Sequence, residues 1–163
     1  MNVIDNFLDD KDFIKLSKIL MDTKFPWYFN NSKSENNDGD FQFTHAFVHE
    51  KKILSPYWSY MVPILEKLNA GVILRVKANL TTKKEMNLKS EMHVDTRESN
   101  SKTAVYYPNT NNGGTLMLNG KKISSRANRI VIFDSHQKHC GVHCTDENIR
   151  LVINLNYFEK NKW

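Results

Sequence analysis

The order of hydrophobic and polar positions divides the chain into a helical first part and a strand-rich second part. After Asp9, the apolar residues Phe13, Leu16 and Leu20 recur at three- and four-residue spacing, which is the period of an amphipathic helix. A second helix is predicted from about Pro56 to Leu68, with its apolar residues at similar spacing. The first part of the chain is therefore predicted to support the rest with helices.

From Gly71 onward the apolar positions alternate with a period of two, as in strands that bury one face. One strand is predicted before this region, at Phe41–Val48. Within it, strands are predicted at Val72–Leu80, Met92–Asp95, Thr103–Tyr107, Thr115–Leu118, Arg129–Asp134 and Leu151–Phe158. Turn residues such as Gly113-Gly114 and Asn119-Gly120 separate several of them. Many short strands preceded by helices predict a mainly β (α+β) fold, with a double-stranded β-helix (jelly-roll) core and helical buttresses.

The length of 163 residues suits one hydrophobic core. No internal repeat or linker divides the sequence. We therefore expect a single domain over residues 1–163, with helical support at about 1–70 and the jelly-roll core at about 71–160.

Composition and charge exclude several classes of protein. The chain is 40% hydrophobic and 25% charged, as in soluble globular proteins. It shows neither a signal peptide nor an apolar run of membrane-spanning length, so we expect a soluble, cytoplasmic protein without a membrane partner. The net charge of +5 is not concentrated in one run. A nucleic-acid partner is thus disfavoured but not excluded.

Candidate metal ligands occur in two places. His93 and Asp95 stand two positions apart, so on a strand both side chains would point to the same face. Two histidines and one carboxylate are the ligand set of non-haem Fe(II) sites. From the residues alone, the second histidine could be His136, His139 or His143.

The segment from His136 to Cys144 supports a competing hypothesis, because its histidines and two cysteines could bind zinc. Structural zinc sites usually pair two ligand clusters, and the chain has no other cysteine. A non-catalytic, cupin-like binding module is a second alternative.

Five motifs follow the His93-Val94-Asp95 triplet in a characteristic order. They are Thr103–Asn109, Gly113-Gly114-Thr115, Asn128–Asp134, His139-Cys140-Gly141 and Arg150–Asn154. In this order, over roughly Val72 to Phe158, the chain resembles the 2-oxoglutarate/Fe(II) oxygenase superfamily, most closely its prolyl-4-hydroxylase-like branch. It departs from the family pattern at Pro108, where leucine is usual, and at Thr115, where glutamate is common.

The resemblance assigns roles to seven residues. The metal ligands would be His93, Asp95 and His139, and 2-oxoglutarate would be bound by Arg150, Tyr107, Asn79 and Thr103. His139 is preferred to His143 and His136 because a glycine follows two positions later and Arg150 lies eleven positions on. Arg150 would clamp the C5 carboxylate with its planar guanidinium, and Tyr107 would share that carboxylate.

The resemblance also implies Fe(II) as cofactor, with 2-oxoglutarate and O2 as co-substrates and ascorbate as a further candidate cofactor. The expected reaction is hydroxylation of an unactivated C–H bond, with a prolyl residue of a peptide or protein as the first substrate hypothesis. A free amino acid, another small molecule or a nucleobase remain alternatives. The loops at Asn30–Asp40 and Lys83–Ser90, with Trp27 or Tyr28, are expected to border the substrate entrance.

Overall fold

The computed structural model describes residues 1–31 and 40–160. Two α-helices are present in these ranges, α1 (Asp10–Leu20) and α2 (Val62–Lys67), with a 3-10 turn at Trp58–Tyr60. The strands are β1 (Asn2–Ile4), β2 (Tyr28–Asn30), β3 (Gln42–His49), β4 (Lys52–Ile53), β5 (Ala70–Thr82), β6 (Lys102–Tyr107), β7 (Gly114–Met117), β8 (Lys122–Ser124), β9 (Arg129–Asp134), β10 (His139–Val142) and β11 (Ile149–Glu159). No helix in the described ranges is long and apolar enough to cross a membrane.

The strands form a large and a small antiparallel sheet. The large sheet has the order β1-β9-β6-β11-β5-β3-β2, with β4 paired to β3, and the small sheet has the order β10-β7-β8. The longest pairing joins β5 to β11, which places Arg150 opposite Thr81 and Asn156 opposite Arg75. These two strands form the centre of the large sheet.

Alternation along β6 shows how the sheet separates two cores. Ala104 and Tyr106 pack in the core that includes Leu16 of α1 and Ile64 of α2, whereas Val105 and Tyr107 pack in a core that includes residues of the small sheet. Neighbouring residues of a strand point to opposite faces, so one strand can serve both cores. The predicted mainly β, double-stranded β-helix fold with helical buttresses is confirmed.

The helices differ from the prediction mainly in extent. Asp9 begins α1, because its side chain accepts a hydrogen bond from the backbone N–H of Asp12 at 3.0 Å. The continuous helix predicted from Pro56 to Leu68 is wrong, since a 3-10 turn precedes the short α2. Pro63 lies in the first turn of α2, where its missing N–H costs no helical hydrogen bond.

Several strands also differ from the prediction. The first 70 residues contain β1 to β4 besides the helices; β3 matches the predicted strand Phe41–Val48, whereas β1, β2 and β4 were not predicted. The predicted strand Met92–Asp95 is absent, and only an isolated bridge joins His93 to His139. The strand β10 was missed because its sequence, His-Cys-Gly-Val, has no alternation of apolar and polar residues. Most of the predicted loop Asn30–Asp40 lies outside the described residues.

Candidate metal and co-substrate site

Two distant segments bring three potential metal ligands together. His93 and Asp95 lie in the connection between β5 and β6, and His139 begins β10. The backbones of His93 and His139 donate to each other's carbonyls at 2.9 and 3.0 Å. One ligand atom from each of His93, Asp95 and His139 lies within 4.8 Å of the others. This spacing fits three ligands on one face of a metal ion.

Both imidazoles are held in the tautomer that a metal ligand needs. Nδ1 of His93 lies 3.0 Å from the carbonyl of Glu91, and Nδ1 of His139 lies 3.1 Å from the carbonyl of Gln137. A carbonyl only accepts, so each Nδ1 carries the hydrogen in these bonds. Each Nε2 therefore keeps its lone pair, and these atoms lie 3.7 and 3.8 Å from the carboxylate oxygens of Asp95.

The third potential ligand, Asp95, has a buried side chain that is held by two donors. Arg75 donates from Nη2 to Oδ1 at 3.0 Å, and Asn156 donates from Nδ2 to Oδ2 at 3.2 Å. Arg75 also donates from Nε to the side-chain oxygen of Asn156 at 3.0 Å, which closes a three-membered ring of contacts. Burial alone would raise the pKa of Asp95, but the positive charge of Arg75 and the Asn156 hydrogen bond outweigh it, so the pKa is lowered. Asp95 is therefore negatively charged, as an anionic metal ligand must be.

A cavity of about 960 Å³ lies against these ligands. Two rows of side chains on β5 and β11 line part of its wall. The facing positions are Thr81 and Arg150, Asn79 and Val152, and Lys77 and Asn154, with Arg75 at the end of the β5 row. The rows run side by side because alternate residues of paired strands share one face. They connect the surroundings of Asp95 to Arg150.

Arg150 is buried in this cavity and only partly satisfied. Its Nη2 donates to the carbonyl of Gly114 at 2.7 Å, whereas its Nε has no hydrogen-bond partner in the described part of the chain. Gly113 leaves room for the guanidinium, since a Cβ there would lie 3.0 Å from Cδ of Arg150 and 2.6 Å from the carbonyl oxygen of Val142. A buried, half-satisfied guanidinium is suited to bind a carboxylate.

Two further polar atoms in the cavity lack partners within residues 1–31 and 40–160. They are Oγ1 of Thr81 and Oδ1 of Asn79, both buried. Thr81 faces Arg150 directly across the strands, so a carboxylate bound to Arg150 would also reach its hydroxyl. The sequence analysis missed Thr81. The signal that could have found it is the register of β5 against β11, which one sequence does not supply.

The four residues predicted to bind 2-oxoglutarate are placed differently. Arg150 and Asn79 line the cavity, and Tyr107 and Thr103 are not among its lining residues. The hydroxyl of Tyr107 donates to Oγ1 of Thr115 at 2.7 Å, and Thr115 does line the cavity. Thr103 instead accepts a hydrogen bond from Asn156 at 2.9 Å, so it belongs to the surroundings of Asp95.

The alternative zinc ligands do not converge. His143 lies on the cavity wall with Nε2 2.7 Å from a carboxylate oxygen of Asp40. Cys140 and Cys144 are buried free thiols, and Cys144 donates to the carbonyl of Glu147. Among the described residues, only His93, Asp95 and His139 form a group of three or more potential ligands.

A double-stranded β-helix with two histidines and one aspartate facing a cavity is the arrangement typical of mononuclear non-haem iron proteins. Residues 80–158 match the model of the 2OG-Fe(II) oxygenase superfamily. The matched region contains His93, Asp95, His139 and Arg150. The chain is similar to this superfamily over the region that carries the candidate ligands. A comparison with curated proteins gives no match.

Solved structures with the same fold come from enzymes of different activity. An oxidoreductase of the 2OG-Fe(II) oxygenase family from Burkholderia pseudomallei has a TM-score of 0.73 at 11% identity, covering 98% of this chain and 85% of that one. A prolyl-4-hydroxylase from Pseudomonas putida has a TM-score of 0.62 at 13% identity, covering 98% and 92%.

A third structure is an alpha ketoglutarate dependent carbocyclase, SnoK, from nogalamycin biosynthesis. Its TM-score is 0.69 at 12% identity, covering 96% of this chain and 78% of that one. Identities this low establish the shared fold alone. A hydroxylase and a carbocyclase share it, so the substrate must be inferred from the cavity.

Proposed function

We propose that the protein is an Fe(II)- and 2-oxoglutarate-dependent dioxygenase that hydroxylates an unactivated C–H bond. One observation carries the proposal. The two imidazole Nε2 atoms and the buried carboxylate of Asp95 converge on the cavity that also holds the half-satisfied guanidinium of Arg150. A metal site and an anion site in one cavity are what this co-substrate requires.

The metal would be held by His93, Asp95 and His139. Three protein ligands on one face leave coordination positions for the co-substrates. The ligands contain no thiolate, and imidazole with carboxylate suits Fe(II). When bound, iron with 2-oxoglutarate and O2 supplies the oxidising power for hydroxylation, coupled to the conversion of 2-oxoglutarate to succinate and CO2. The protein supplies geometry and charge.

Arg150 would bind the C5 carboxylate of 2-oxoglutarate, with the hydroxyl of Thr81 as a second donor and Asn79 further along the same row. Tyr107 would act through Thr115, to which it is hydrogen bonded. Thr103 would act through Asn156 on the orientation of Asp95. Both are therefore proposed as positioning residues, and the ligand contacts are assigned to Arg150 and Thr81.

Two substrate classes follow from different observations. A prolyl residue of a peptide or protein is the hypothesis that the resemblance to prolyl hydroxylases supports, together with the fold likeness to the Pseudomonas putida enzyme. A small anionic molecule, such as a free amino acid, is favoured by a cationic side chain in the cavity, Lys77.

The proposal is tested by anaerobic titration of the metal-free protein with Fe(II) and 2-oxoglutarate. Chelation of the iron by the co-substrate is expected to give a visible charge-transfer absorption. His139→Ala is expected to abolish it, and the matched control His136→Ala, at an exposed histidine three residues away, is expected to retain it. Absorption that survives in His139→Ala would refute the ligand assignment, and its absence from the wild type, with tight zinc instead, would refute the proposed function.

A further inference from the structure

Lys77 places a positive charge in the cavity, and the proposed reaction assigns no role to this charge. It lies on β5 between Asn79 and Arg75 in the row that lines the cavity, and it faces Asn154 across β11. Lysine is costly to bury unless its charge is compensated. The half-buried Lys77 is therefore a residue that calls for a functional explanation.

Two other basic groups of the cavity have assignments. Arg75 is paired with Asp95 at 3.0 Å, and Arg150 faces the predicted co-substrate carboxylate. Lys77, by contrast, makes no hydrogen bond or ion pair in residues 1–31 and 40–160, and its electrostatic neighbours are Arg75 and Asp95. In the described part of the chain, the negative charge that acts on Lys77 is therefore that of Asp95, which Arg75 and Asn156 already engage.

The side chains that line the cavity carry more positive than negative charge. Its lining contains four basic side chains, Arg75, Lys77, Arg97 and Arg150, and two acidic ones, Glu91 and Asp95. Burial, with a smaller contribution from Arg75, lowers the pKa of Lys77. An anion beside the ammonium group would oppose both effects, because it stabilises the charged form of the lysine. The cavity is therefore complementary to a negatively charged molecule in addition to the one at Arg150.

We propose that Lys77 anchors the primary substrate through an anionic oxygen group, and that this substrate is a small acid carrying a carboxylate or a phosphate. An internal prolyl residue of a peptide has neutral amides on both sides and would leave Lys77 uncompensated. A small acid brings its own counter-charge into the cavity. This inference rests on the proposed function, since it assumes that Arg150 is occupied by 2-oxoglutarate.

The test measures succinate formation with Fe(II), 2-oxoglutarate and O2, above the rate without substrate. The probes are the standard free L-amino acids, each paired with its neutral amide, and phosphate monoesters, each paired with its parent alcohol. A third arm contains proline in the interior of short peptides. Acids are expected to stimulate succinate formation and their neutral partners are not, and the two acid arms distinguish a carboxylate from a phosphate.

Three variants separate a substrate anchor from other roles. Lys77→Gln is expected to raise the KM for the acid roughly 10- to 100-fold, the loss expected for a charge-assisted hydrogen bond, with a much smaller effect on kcat and on the KM for 2-oxoglutarate. Lys77→Arg is expected to restore most of the affinity because it keeps the charge. Lys67→Gln, at an exposed lysine of α2 that does not line the cavity, removes the same charge and should behave as wild type.

Several results would overturn the inference. One is a Lys77→Gln variant whose defect lies in the KM for 2-oxoglutarate, because Lys77 would then be a co-substrate ligand. Another is equal turnover of an acid and its neutral partner, or turnover of the interior-proline peptides alone. The inference would also be overturned if no acid stimulated succinate formation by the wild-type protein. In all these cases the charge-transfer absorption still reports on the proposed function separately.

Discussion

Asp95 shows how a single candidate ligand obtains both its charge and its orientation. Each carboxylate oxygen accepts one hydrogen bond, from Arg75 or from Asn156, and these two donors are bonded to each other. The carboxylate consequently cannot rotate without breaking a charge-assisted contact. Such outer contacts orient a metal ligand and tune its affinity for the metal.

Replacement of Asn156 by alanine is therefore expected to weaken metal binding while all three ligands remain. We expect a roughly 10- to 100-fold loss of Fe(II) affinity, as for other outer contacts of metal ligands. The measurement is anaerobic competition with a chelator of known affinity. Asn148→Ala, an exposed asparagine, is the control. Unchanged affinity in Asn156→Ala would mean that Arg75 alone fixes the carboxylate.

The positions of Arg150 and Thr81 lead to a second prediction about single residues. Arg150→Lys keeps the charge but loses the planar fork, so the KM for 2-oxoglutarate is expected to rise roughly 10- to 100-fold. Thr81→Val, which removes only the hydroxyl, is expected to raise it by about fivefold, the value of one net hydrogen bond of about 1 kcal/mol. Steady-state succinate assays measure both.

Tyr107→Phe provides the comparison between the two hydroxyl groups. The Tyr107 hydroxyl is bonded to Thr115, so its removal is expected to change the KM for 2-oxoglutarate less than Thr81→Val does. The opposite order would show that Tyr107, as the sequence predicted, shares the carboxylate. Arg126→Lys, at an exposed arginine, should leave the KM unchanged.

At the scale of elements, a strand was predicted well where apolar and polar residues alternate clearly in its sequence, and poorly where they do not. The interior of β5 was predicted at Val72–Leu80, but the strand extends to Thr82, because the polar residues at its end carry no periodic signal. The missing end contains Thr81. Similarly, His139 was identified from its spacing to Arg150, whereas the strand it begins was not, since four residues containing a glycine show no period.

The turn before β9 contains a residue that joins two ends of the fold. Asn128 adopts a positive φ of 59°, which asparagine tolerates better than most residues. Its side chain accepts from the backbone N–H of Leu8 at 2.9 Å and from the hydroxyl of Tyr106 at 3.0 Å, and it donates to the carbonyl of Leu8 at 2.9 Å. The segment after β1 is thereby fixed to the large sheet.

Asn128→Ala is expected to lower the free energy of unfolding by about 2–4 kcal/mol, because it leaves three buried polar groups unpaired at a strained φ. Chemical denaturation of the metal-free protein measures the change. The exposed Asn148→Ala is again the control and is expected to change stability by less than about 0.5 kcal/mol. A loss below about 1 kcal/mol for Asn128→Ala would show that water replaces these bonds.

At the scale of the whole molecule, two buried histidines link stability to pH. Burial lowers the pKa of His139 and of His45, although in each case a carbonyl contact opposes it. His45 lies in an aromatic cluster, where its Nδ1 contacts the carbonyl of Pro26 at 2.8 Å and its Nε2 contacts Oγ of Ser55 at 2.7 Å. Neither ring is easily protonated while the chain is folded.

The unfolded chain consequently takes up protons on these rings at a higher pH than the folded chain does. The free energy of unfolding of the metal-free protein is expected to decrease as the pH falls through about 6.5, and the decrease should end below the lowered pKa values. His45→Gln removes one of the two groups, so its stability should depend less on pH between about 8 and about 5. Denaturation midpoints at several pH values test this. An unchanged pH dependence would refute the role of His45.

The row of side chains on β5 has a consequence for how this protein can change over evolution. Arg75, Lys77, Asn79 and Thr81 occupy every second position, and the intervening Val76 and Ala78 belong to the opposite core. A substitution at Lys77, Asn79 or Thr81 is expected to alter the recognition of a bound molecule and to spare the hydrophobic interior. A single-residue insertion or deletion inside the strand would invert the pattern, sending lysine and arginine into the interior and aliphatic groups into the cavity. New substrate specificities can therefore evolve by substitution of residues in the row. Insertions and deletions in this strand would instead disrupt both the core and the cavity.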